Sequence, residues 1–124
     1  MKTMNIDGKQ IHYVAENHRW MIGEKELGLC ADGVLRGAGV VIQLSKDALA
    51  ELRNLEQVAL YESLDDAGKA EFVARWKHTL AVDIDFCRNE ADSAGDYYDR
   101  RARKLNKASD SGDVFEMIRA YNER

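Results

Sequence analysis

The chain has 124 residues, 45% of them hydrophobic and 32% charged, and its 22 acidic and 18 basic side chains leave a formal net charge of −4. That balance excludes a disordered chain and a uniformly basic nucleic-acid-binding surface, while leaving local patches open. The length predicts one domain over residues 1–124, burying about two thirds of the unfolded surface.

Cys30 and Cys87 lie far apart in sequence. No basic start followed by an apolar core marks a signal peptide near the N-terminus, and no run approaches the ~20 apolar residues of a membrane span. The expectation is a cytoplasmic protein with two reduced, mostly buried thiols and no membrane contact. The chain has no proline, so its helical stretches carry no proline break and no segment resembles a Pro-rich linker.

Residues 1–44 read as a small antiparallel β-meander of three or four strands. Asp7-Gly8 suits a tight hairpin turn, because glycine adopts the positive φ that other residues resist. Ile11, Tyr13 and Ala15 then alternate with Gln10, His12 and Glu16, the pattern of a half-buried strand. Asn17-His18 offers a second turn before Trp20 and Ile22 on a third strand. Gly28, Gly33, Gly37 and Gly39 predict a looped crossing, and Val40 to Leu44 a last β-branched strand. A sheet of this size needs a helix on one face.

From Ser45 the apolar period lengthens to about 3.6. Ser45 is a suitable N-cap and Asp47 suits the positive helix end; Leu49, Leu52, Leu55 and Ala59 mark the buried stripe. Ser63 and Asp66 form a capping-box pattern that predicts a second helix from near Leu64, paired with the first as a helical hairpin. Its stripe continues through Val73, Trp76, Leu80, Ile84, Cys87, Ala91, Ala94, Tyr98, Ala102 and Leu105. Unbroken from Leu64 to Lys107, this helix would span about 66 Å, against a diameter of roughly 35 Å for a compact domain of this size. It therefore either protrudes against a partner, including a second copy of the chain, or bends. Ser93 and Gly95 are poor interior residues, and we favour a bend or break near Gly95. After Asp110, Val114, Met117, Ile118 and Tyr121 predict a short C-terminal helix. The fold class is thus α+β: a meander over 1–44, then a helical part over 45–124.

Catalytic motifs are absent from the sequence. His12, His18, His78 and the two cysteines lack the close pairing of a zinc site. "GVLRGAG" lacks the Lys and Ser/Thr of a phosphate loop and leads into a strand. Asp65/Asp66 fit a helix start, and Asp83/Asp85 a solvated face. No cofactor, metal or enzymatic activity is expected.

The segment 83–107, "DIDFCRNEADSAGDYYDRRARKLNK", divides by charge. Six acids and one base reach as far as Asp99, and five bases with no acid follow. On a continuous helix Asp85, Asp92, Asp96 and Asp99 line one stripe, which could imitate a phosphate backbone toward a protein partner. Tyr97 and Tyr98 adjoin it. Arg100, Arg101, Arg103, Lys104 and Lys107 could instead neutralise phosphates, with the tyrosines stacking on bases. They also suit a helix C-terminal end, pairing Asp96 with Arg100 and Asp99 with Arg103. Such partial self-neutralisation favours a protein partner over nucleic acid.

No motif places the chain in a family. Its general profile, a short acidic chain with a small sheet and charged helices, is similar to that of many small phage or prophage proteins that bind and block a host machine, CRISPR effectors included. The likeness assigns no residue. The expected function is a non-enzymatic binding protein that blocks or regulates a protein partner through Asp85, Asp92, Asp96, Tyr97, Tyr98 and Asp99. The alternative is a nucleic-acid-binding regulator using the basic run 100–107.

Overall fold

The computed structural model describes residues 2–94 and 96–123, the backbone alone at 91–94. Among these residues six strands come first: β1 (Lys2–Ile6), β2 (Lys9–Val14), β3 (Arg19–Ile22), β4 (Lys25–Leu29), β5 (Val34–Gly37) and β6 (Val40–Gln43). They form one antiparallel meander in which each strand pairs with its sequence neighbours. Four helices follow: α1 (Lys46–Glu62), α2 (Asp66–Ala94), α3 (Asp96–Ser111) and α4 (Val114–Asn122). The class is α+β, with more strands than expected.

The additional strands lie where a looped crossing is expected. Gly28 sits inside β4 and Gly37 ends β5, so these glycines do not mark one long loop. Gly37 has φ +145°, and a Cβ there would stand 2.4 Å from the carbonyl oxygen of Glu26 on β4. Two backbones approach too closely at this point for any side chain. The hairpins turn as the Asp-Gly signal predicts: Asp7 and Gly8 both have positive φ, as do Ala38 and Gly39 between β5 and β6, the conformation that matches strand twist in two-residue turns.

Residues group into two units, Met1–Leu64 and Asp65–Arg124. The first joins α1 to the sheet, whereas the sequence reading groups α1 with the later helices. Packing decides this: Leu52 of α1 is wholly buried among Ile11, Tyr13, Trp20, Leu27, Leu35 and Ile42 of the strands. Tyr13 is opposite Trp20, which is opposite Leu27, so one row of side chains crosses three strands on the face that α1 covers. Each fully buried aliphatic residue contributes about 1.5–3 kcal/mol. Ser45 caps α1 as expected, its hydroxyl accepting from the Ala48 amide at 3.1 Å.

In the second unit the cap of α2 differs from the expected Ser63 box. Asp65 accepts from the Gly68 amide at 2.7 Å, while the Ser63 hydroxyl donates back to the Leu60 carbonyl and closes α1. The expected break near Gly95 lies outside the described residues. On either side of it, α2 and α3 pack antiparallel: Asp83 meets Arg101 and Phe86 meets Tyr98. The hairpin is therefore α2–α3, and no single 66 Å rod forms. Leu80 and Ile84 of α2, Leu105 and Ala108 of α3, and Met117 and Ala120 of α4 make the core, with Trp76 and Tyr121 against it. The apolar stripe that motivates self-association through the long helix is thus largely covered within the chain. Gly112, at φ +73°, follows the end of α3, and Asp113 caps α4 by accepting from the Phe115 amide.

Cys87 is buried and Cys30 half-buried, and neither is in a disulfide. No helix among the described residues is long and apolar enough to cross a membrane.

Candidate functional site

Val82 and Phe86 are four residues apart on α2 and therefore project from one face. That face differs from the one bearing Leu80, Ile84 and Cys87, which are buried. Val82 is 56% and Phe86 53% exposed. Tyr98 of α3 approaches Phe86 edge-on at 5.9 Å, and Tyr97, 48% exposed, stands 5.1 Å from Tyr98. An aromatic row thus crosses the hairpin. Beside it an open hollow of about 390 Å³ lies between α2 and α4, lined by His78, Thr79, Val82, Asp83, Phe86 and Tyr121.

Charge around this row is acidic but discontinuous. Asp85 and Asp96 are exposed, and Asp99 is half-buried and joined to Arg103 at 2.6 Å. The Asp92 side chain lies outside the described residues. Because α2 and α3 run antiparallel, Asp85 is on one helix and Asp96 and Asp99 on the other, so they do not form the single carboxylate stripe of a continuous helix. Asp83, expected on a solvated face, pairs with Arg101 at 2.8 Å.

The basic run also separates by environment. Arg101 is only 8% exposed; besides Asp83, it donates to the backbone carbonyls of Tyr121 and Glu123 and lies over the Tyr121 ring. It ties the end of α4 to the hairpin and is not available to a phosphate. Its burial was legible in principle, since Arg101, Leu105 and Ala108 fall at helical spacings of four and three. Arg103 forms its expected pair with Asp99, and Lys104 pairs with Glu123. Arg100 donates to the Asp96 carbonyl at 3.3 Å and not to its carboxylate. Among the described residues, Arg100 and Lys107 are in no ion pair.

A second polar site ties the sheet to α1. The indole of buried Trp20 donates to Glu56 at 2.6 Å, within a hollow of about 500 Å³ that also meets His18, Arg19 and Glu26. Burial raises the Glu56 carboxyl above its ordinary range, partly offset by the Trp20 hydrogen bond and the Arg53 charge. Tyr13 is raised by burial and by the Glu56 charge. Sequence reading placed Trp20 on the third strand and gave no sign of Glu56, whose partner is 36 residues away.

No group of three or more His, Cys, Asp or Glu side chains among the described residues could hold a metal ion. No family model, curated protein or solved structure matches the chain.

Proposed function

We propose that the chain is a non-enzymatic binding protein that docks on a protein partner through the α2–α3 hairpin and blocks or regulates it. Val82, Phe86 and Tyr97 are the apolar anchors, backed by Tyr98. Asp85, Asp96 and Asp99 form the acidic rim. A nucleic-acid-handling machine is the partner class best matched to such a rim, in the manner of a phage-type inhibitor. The observation that carries this reading is the clustering of half-exposed aromatic side chains on one surface. Aromatic residues dominate protein interfaces, and large apolar groups gathered together outside a core mark a binding patch.

The nucleic-acid alternative has less support, because three of its five bases are engaged: Arg101 inside the unit, Arg103 and Lys104 in ion pairs. Affinity capture from source-cell lysate, with and without nuclease, separates the two. A stoichiometric protein that survives nuclease, and is lost when Phe86→Ser and Tyr97→Ser are combined, supports docking by the hairpin. Retention by the double variant overturns it, and recovery that vanishes with nuclease favours the basic run.

A further inference from the structure

The meander leaves two edges, and they differ in protection. At β1, Lys2 carries a charge and bridges to Glu62 of α1 at 3.2 Å, and α1 packs against this strand. Charge and cover are the usual guards of a sheet edge. At the other end, among the described residues, β6 pairs only with β5. Its sequence, VVIQ, has no charge and no proline, and its Val41 side chain is 66% exposed.

The hydrogen-bond phase of β6 is known. The Leu44 amide donates to the Gly33 carbonyl at 3.0 Å, and Ile42 is opposite Leu35, Val40 opposite Gly37. Alternate residues of an antiparallel strand direct their amides and carbonyls to the same side. Leu44, Ile42 and Val40 therefore face β5, while Val41 and Gln43 direct theirs toward the open edge.

We infer that β6 is a self-pairing edge and that its occupant is β6 of a second copy, antiparallel about a two-fold axis at Ile42. The two outward-facing residues flank that axis symmetrically. Val41 of one copy then meets Gln43 of the other, and Gln43 meets Val41, so both residues exchange backbone hydrogen bonds twice over. A two-fold interface requires such self-complementarity. An uncharged strand also meets its own copy without the repulsion that a lysine or glutamate near the axis would impose. The Val41 side chains lie diagonally across the joint, close enough for contact on the face opposite α1. The product is a sheet continuous through both copies. This interface uses no residue of the hairpin's aromatic surface and does not rest on the function proposed for it.

Sedimentation equilibrium of the full chain from micromolar to millimolar concentration tests the pairing. The wild type is expected to pass from monomer to dimer within that range. Val41→Pro removes an outward-facing amide that the fold does not use, at an edge position where proline is tolerated; Val41→Lys adds the missing guard. Each is expected to weaken dimerisation by about tenfold or more, with far-UV circular dichroism and Trp20 fluorescence unchanged, while Phe86→Ser leaves the dimer intact. A wild type that stays monomeric throughout overturns the inference. So does a dimer that survives both Val41 variants, or one that Phe86→Ser dissolves.

Discussion

The guanidinium of Arg101 on α3 and the carboxylate of Asp83 on α2 meet at 2.8 Å, with the arginine 8% and the aspartate 23% exposed. The same guanidinium donates to two carbonyls near the end of α4. One side chain thus joins three helices, through charge-assisted hydrogen bonds that are stronger than neutral ones. Arg101→Ala removes the cation beside Asp83 and takes a charged donor away from two carbonyls near the end of α4. It is expected to destabilise the second unit by about 2–4 kcal/mol, read from urea unfolding followed by Trp76 fluorescence in a Trp20→Phe background. Arg101→Lys should recover only part of the loss, because an ammonium cannot reproduce the planar fork.

Gly37 and Gly8 both have positive φ, but their surroundings differ. A Cβ at Gly8 meets nothing within 4 Å, whereas one at Gly37 overlaps the Glu26 carbonyl. Gly8→Ala should cost about 1 kcal/mol, the left-handed penalty alone. Gly37→Ala must displace backbone and should cost at least about 3 kcal/mol. Thermal unfolding of the two variants side by side measures the difference.

Glu56 gives the first unit a pH dependence of definite sign. Its folded carboxyl titrates above the ordinary range because burial disfavours the charged form. The folded state therefore holds this proton when the unfolded state has lost it. The resulting stability is present in full below the unfolded value and is lost as pH rises through the folded value. Glu56→Gln keeps an acceptor for the Trp20 indole without a charge. It should raise stability near neutral pH relative to wild type and flatten this part of the profile. Denaturant midpoints across mildly acidic to neutral pH, read from Trp20 in a Trp76→Phe background, show whether it does.

The hairpin surface predicts a separation between binding and folding. Phe86→Ser and Tyr97→Ser remove half-exposed groups and should change stability by less than about 1 kcal/mol each, yet together abolish partner retention. Charge reversal at Asp85 and Asp96 should weaken retention more at low salt than at high salt, since exposed charges are screened. Binding assays over a salt series, with melting curves as the control, check both statements.

For nucleic acid the expectation is weak affinity. Phosphate neutralisation sets the salt slope, and only Arg100 and Lys107 of the basic run are in no ion pair among the described residues. Titration of labelled duplex and single strand at low salt should show no tight binding, and Arg100→Ala with Lys107→Ala should remove what little there is.

Local chemistry made much of this fold legible from sequence. Asp7-Gly8 turns the first hairpin, Ser45 caps α1, and the three- and four-residue spacing of Leu80, Ile84, Ala102 and Leu105 marks buried helix faces, because each signal acts within a few residues of itself. β4 and β5 escaped because strands of four or five residues with glycines inside or at their ends show too little alternation to read. Their existence depends on pairing with neighbours. Other placements depend on which segments meet. Leu52 joins the sheet core, Arg101 turns inward to Asp83, Glu56 finds Trp20, and Phe86 lies beside Tyr98, each a contact between different elements of the chain. Periodicity determined which faces of the helices were apolar. Only the antiparallel packing of α2 on α3 decided which charges became structural and which aromatic side chains remained at the surface, since burial is a property of the packed helices and not of either one alone.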